Sequence, residues 1–202
     1  MGRTLIIFIA LCSVADSADR ATAPDSASVP VTVYGKLRSK EVVRIGGETT
    51  GTIVIFSGGV TWELKLTDNA TKRFADENHK KLVAVTGQLR RMAGVEVGTR
   101  WIIDVEQLTA AKDNDPKDTA TFTLRGKLRP TAKGPPSVIE IGDDAWPVEW
   151  KNDPALYKQA IDSAGLTVQA HGHVERDPNF TAKIPAIFRI EKLQAPAIAN
   201  KR

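Results

Sequence analysis

The sequence predicts an all-β protein with one short helix per repeat, arranged as two tandem five-stranded barrels. Three observations predict it. Residues 52–110 lie on residues 137–195 at a constant offset of 85, and a self-match of that length marks one structural unit present twice. Apolar and polar residues alternate in short runs within each copy, the period of a half-buried strand. Each copy carries one helix start signal, at the same place in both.

The elements follow in order. Val31, Val33, Gly35 and Leu37 alternate with Thr32, Tyr34, Lys36 and Arg38 in a first strand, and Phe122, Leu124, Gly126 and Leu128 repeat it at an offset of 91. Residues 52–56 form a second strand, ended by Ser57-Gly58-Gly59. Trp62, Leu64 and Leu66 mark a third. Trp146, Val148 and Trp150 match it at an offset of 84, so one register slip is hidden inside the ungapped alignment. Asp153-Pro154 is an acidic N-cap followed by proline at the first helical position, and Gly165 stops the helix. Asp68 opens the equivalent helix, which is expected to run to about His79 and bury Phe74. Val83, Val85 and Leu89 form a fourth strand, matched by Val168, Ala170 and Val174; residues 102–108 and 187–193 form the fifth.

The expected organisation is a signal peptide over 1–15, a polar leader over 16–30, repeats over 31–110 and 120–195 joined by a linker over 111–119, and a tail over 196–202. Arg3, the apolar run from Leu5 to Leu11 and the small residues of Ser13-Val14-Ala15 are the parts of an export signal. The apolar run is shorter than the roughly 20 residues of a membrane span, so no transmembrane segment is expected after its removal. Cleavage after Ala15 also removes Cys12, the single cysteine. A cysteine-free exported chain fits a bacterial periplasm or exterior.

Three strands, a helix and two strands in each copy is the order of an OB-fold, a small Greek-key barrel. Gly35, Gly87, Gly126 and Gly172 fall mid-strand, where glycine marks bulges and tight barrel corners. With Gly87 and the closing strand Ile103-Asp104-Val105-Glu106-Gln107-Leu108, the chain resembles the periplasmic bacterial OB-fold proteins, duplicated. The resemblance implies a fold and a ligand-binding habit.

Candidate site residues divide into three groups. Arg38, Lys40 and Arg44 lie in or beside the loop after strand one, and Arg90, Arg91 and Arg100 border the loop after strand four. In this fold those loops flank the usual binding face, so the six form a candidate site for an anionic ligand. Ile53 and Ile55 lie on the face of strand two opposite Val54 and Phe56. They are assigned to an interface with the other copy or with a protein partner. His171 and His173 share a strand face and are the one metal candidate, with no third ligand found by spacing. Glu106 and Glu191 match each other and point away from the core, towards cross-strand partners such as Lys65 or Lys151.

Net charge is +4, with 28 basic and 24 acidic residues, spread through both copies rather than gathered in a basic tail. No nucleophile motif, phosphate-cradling loop or paired-carboxylate site appears. The expectation is a non-catalytic exported binding module of the cell envelope, without cofactor, whose partner is an envelope ligand, anionic if the basic cluster holds it. A structural protein docking others through Ile53 and Ile55 is the alternative. Nucleic acid is not expected, because Trp62 and Trp146 are in phase with the core instead of exposed for stacking and export removes the usual nucleic acid from reach.

Overall fold

A computed structural model describes residues 29–45, 48–94, 98–176 and 186–195, with side chains outside 40–51 and 93–99. The expected signal segment, leader and tail lie outside these residues, apart from the leader's last two. The strands are β1 (Val29–Ile45), β2 (Glu48–Ser57), β3 (Val60–Lys65), β4 (Leu82–Gly94), β5 (Gly98–Ala110), β6 (Thr119–Leu128), β7 (Val138–Ile141), β8 (Asp144–Trp150), β9 (Thr167–Arg176) and β10 (Ala186–Gln194). Helix α1 (Asn69–Glu77) lies between β3 and β4, and α2 (Pro154–Asp162) between β8 and β9.

Both helices begin where their caps place them. The Asp68 carboxylate accepts from the Thr71 N–H at 2.7 Å, and Asp153 accepts from the Ala155 N–H at 2.8 Å with Pro154 in the first turn. An N-cap of this kind stabilises the helix by satisfying amides that have no intrahelical partner. Helix α1 ends two residues before His79 and buries Ala75, while Phe74 is only partly buried against the core.

β1, β2, β3, β5 and β4 close a five-stranded barrel. β1 pairs with β2 and β4, β2 with β3, and β4 with β5, all antiparallel. The parallel β3–β5 pairing completes the ring, and the helix between β3 and β4 is the one expected of an OB-fold-like barrel. In the second half β6 pairs with β7 and β9, β7 with β8, β10 with β9, and β8 with β10 in parallel.

The expectation of two barrels, each around its own interior, needs correction. β1 also pairs with β6, Val31 opposite Phe122, so the ten strands form one sheet. The buried apolar side chains likewise form one cluster running through both halves. Trp101 makes the join: its ring lies 6.3 Å from Trp62, 5.9 Å from Trp146 and 5.3 Å from Phe188. The β2–β3 turn abuts β9 as well, since a β-carbon on Gly58 would come within 2.7 Å of the Val174 carbonyl oxygen.

The four mid-strand glycines mark close backbone crossings. A β-carbon on Gly87 would lie 2.2 Å from the Asp104 carbonyl oxygen, and one on Gly172 1.9 Å from that of Arg189. Gly35 and Gly126 meet Phe56 and Glu140 in the same way, at 2.1 and 2.2 Å. No side chain fits at such a distance, so these are the corners where the sheet turns sharply.

Strand β2 has the opposite phase to the one expected. Leu37 pairs with Ile55, and Ile55 with Trp62. Ile55 is therefore buried in the core, and Ile53 packs against it. Val54 and Phe56 take the other face, where Val54 is still fully buried and Phe56 partly so. Four consecutive apolar residues carry no alternation, so the neighbouring strands alone set the phase. The assignment of Ile53 and Ile55 to a protein interface is corrected by this burial, and with it the docking alternative.

Candidate functional site

Two hairpins, β1–β2 and β4–β5, extend beyond the ends that apolar alternation marks. β1 pairs with β2 out to Ile45 and Glu48, and β4 with β5 out to Gly94 and Gly98. Arg38 and Arg90 thus lie within strands, not in loops. The register sets one row across the barrel's outer face: Arg38 opposite Val54, Val54 opposite Glu63, Glu63 opposite Ile102, and Ile102 opposite Arg90, with Val54 and Ile102 buried between the charged side chains. A cleft of about 580 Å³ lies on this face. The half-exposed Met92 gives it apolar surface beside the buried Ile102, Lys65, Lys72, Arg90 and Arg100 give it positive charge, and Glu63 is the acid among its lining.

The structure brings only part of the expected basic cluster together. Arg90 and Arg100 line the cleft, and Arg38 stacks its guanidinium 4.6 Å from the centre of the outward Phe56 ring. Arg91 turns the other way. It lies over the Trp146 ring at 4.6 Å and 3.5 Å from Asp144, bracing the two halves. Successive strand residues face opposite sides, so two adjacent arginines cannot both serve one face. The side chains of Lys40 and Arg44 lie outside the described residues. Sequence reasoning missed Lys65, Lys72 and Phe56; the alternation of Lys65 with Leu64 and Leu66 was the available signal for the first.

Carboxylates hold the cleft arginines in place. Arg90 forms a two-pronged pair with Asp104, one prong at 2.9 Å, and Lys65 stands 3.6 Å from the same carboxylate. Arg100 pairs with Glu63 in the same fashion, one prong at 2.7 Å. The hydrogen bond from Arg90 holds the Asp104 carboxyl below its ordinary range. A depressed carboxyl contributes stability that is present above its unfolded value and lost as pH falls through its folded one. Melting temperature is therefore expected to fall once pH drops below about 4, with Asp104→Asn removing part of that acid-sensitive portion. The effect is modest because the pair is partly exposed and screened by solvent. An acid limb identical in the variant would overturn it.

The second half presents a different face. Arg189 reaches Glu175 at 2.9 Å and Glu149 at 3.4 Å. His173 lies 2.6 Å from Glu175 and 3.4 Å from Glu191. The hydrogen bond from His173, followed by that from Arg189, lowers the Glu175 carboxyl. His171 has Thr123 Oγ1 3.0 Å from Nδ1 and Gln169 Nε2 3.1 Å from Nε2. The two imidazoles share a face as expected, but protein partners engage the nitrogens a metal would need. Among the described residues no group of three or more His, Cys, Asp or Glu side chains is placed to hold a metal ion. Gln88 donates to Glu106 at 2.7 Å, in place of the expected lysine partner.

Comparison with known proteins fits the fold. No protein-family model and no curated protein matches the chain. The crystal structure of the single-stranded DNA binding protein from Thermus aquaticus is similar over 86% of this chain and 95% of that one, with a TM-score of 0.51 and 13% identity. A deletion mutant of that protein covers 83% of this chain and 94% of its own at 12% identity, with a TM-score of 0.43. The chain has an OB-fold-like fold. The first likeness corrects two expectations, that of an envelope binding module and that of nucleic acid as an unexpected partner. The first rested on the export signal, the second on export and on the inward phase of Trp62 and Trp146, both of which are buried.

Proposed function

We propose that this chain binds single-stranded nucleic acid along the outer face of the barrel, between the β1–β2 and β4–β5 hairpins. The carrying observation is the cleft on that face, with Lys65, Lys72, Arg90 and Arg100 beside Ile102 and Met92. Cations match phosphates, and exposed apolar or aromatic surface matches unpaired bases, a combination suited to a single strand. The Phe56 ring under Arg38 adds a stacking surface of the kind bases use. The fold-level likeness to a single-stranded DNA binding protein supports the same direction. The role is that of a binding protein. The matching register of the two halves supports a duplicated barrel: Val31 lies opposite Gly87 in the first, and Phe122 opposite Gly172 in the second.

Fluorescence anisotropy with a labelled oligothymidylate tests the proposal. Affinity is expected to fall steeply with salt, because bound phosphates release counterions. Lys65→Ala and Lys72→Ala should each weaken binding and flatten the log–log salt slope by about 0.7, the share of one phosphate contact on a single strand. A folded protein that shows no binding at low salt, or that prefers duplex, would refute it.

A further inference from the structure

The two halves carry the same three-residue ion network with every sign reversed. In the first half Asp104 pairs across β3 with Lys65 and across β4 with Gln88, and Arg90 lies two residues along β4. In the second half Arg189 pairs across β8 with Glu149 and across β9 with His173, and Glu175 lies two residues along β9. Asp104, Arg90 and Gln88 match Arg189, Glu175 and His173 at the offset of 85, and Lys65 matches Glu149 at 84. Cation–anion–cation thus faces out of one half and anion–cation–anion out of the other. The contacts are real in both: Arg90 and Lys65 on Asp104, Glu175 and Glu149 on Arg189.

Two neighbouring differences point the same way. Lys72 of α1, at the edge of the cleft, is matched by Tyr157 of α2. Arg100 is matched in sequence by Pro185. The flanking residues are the ones a ligand meets first, with Lys65 62% exposed and Glu149 55% exposed. A strand approaching the first half meets lysine; on the second it meets glutamate at the same position.

Resting on the nucleic-acid reading above, we infer that the first half alone takes the strand, and that the reversed network makes the second half reject it. Screening confines surface electrostatics to about 10 Å at ordinary salt, so local sign at a binding face outweighs the chain's overall positive charge. Two halves with one backbone geometry then differ in ligand choice through Lys65, Arg90 and Asp104 against Glu149, Glu175 and Arg189.

Exchanging the networks tests this while keeping each ion pair. The first variant carries Lys65→Glu, Arg90→Glu and Asp104→Arg; the second carries Glu149→Lys, Glu175→Arg and Arg189→Asp. Oligothymidylate titrations of the full chain read affinity and the length of strand occluded. The first variant is expected to lose at least tenfold in affinity. The second is expected to keep wild-type affinity for short strands and to occlude about twice the length on long ones, as a second face of the same shape becomes usable. Where a triple exchange does not fold, Lys65→Gln should weaken binding and Glu149→Gln should not. If wild-type binds and neither exchange changes affinity or occluded length, or if binding is lost only from the second variant, the inference is overturned and the nucleic-acid reading survives. If the folded wild-type chain binds no strand at any salt, both fall together.

Discussion

Alanine at Trp101 is expected to cost about 3–5 kcal/mol of stability, the range for deleting a buried aromatic ring. Trp101 is 6% exposed and touches Trp62 in its own half and Trp146 and Phe188 in the other. Its removal opens a cavity at the place where one apolar cluster passes between halves, and collapse there is limited by the β1–β6 pairing and by Gly58 against Val174. Urea denaturation should show a lower midpoint and a broadened or split transition, as the halves lose the contact that makes them unfold together. Trp101→Phe is the control. The indole N–H of Trp101 has no hydrogen-bond partner among the described residues, and an unpartnered buried donor costs about 1–3 kcal/mol. Phenylalanine keeps ring contact and removes that donor, so its loss should be much smaller. An alanine variant within about 1 kcal/mol of wild type would show that the seam does not couple the halves, since most deletions of a packed core ring cost more.

Gly172→Ala is expected to be as damaging or worse. Its β-carbon would sit 1.9 Å from the Arg189 carbonyl oxygen and 2.8 Å from the carbonyl carbon. The obstacle is backbone, which cannot swing aside like a side chain, so β9 and β10 must separate at their register shift near Ile190. A loss above about 3 kcal/mol, or no soluble protein, is the expected outcome. Gly134→Ala separates this crowding from backbone conformation. Gly134 has φ of 72° and no atom within 4 Å of its would-be β-carbon, so alanine there meets only the left-handed penalty of about 1–2 kcal/mol. Equal melting temperatures for the two variants would remove the case for a close crossing at Gly172.

The strand order, both helices and the glycine corners were legible in the chain because each is a local pattern. Alternation marks a strand, Asp153-Pro154 a helix start, and a glycine among apolar residues a crossing. The two tryptophans in phase with the core, Trp62 and Trp146, are fully buried. The candidate site was half legible. Arg90 and Arg100 do share a face, yet Arg91 belongs to the seam, and the long hairpins carry adjacent apolar residues, Val42-Val43 and Met92-Ala93, that break the alternation marking a strand. Strand β2 was misread because residues 53–56 are all apolar, leaving its phase to Leu37 and Trp62.

By itself, then, the sequence determined where strands and helices lie and where the backbone must bend, since those depend on neighbours a few residues apart. The tertiary structure alone decided that the ten strands form one sheet around a shared core, which apolar residues of β2 point inward, and which charges face one another. Lys65 and Asp104, or Glu149 and Arg189, are some forty residues apart in the chain, and only the parallel pairing of β3 with β5 and of β8 with β10 sets them side by side.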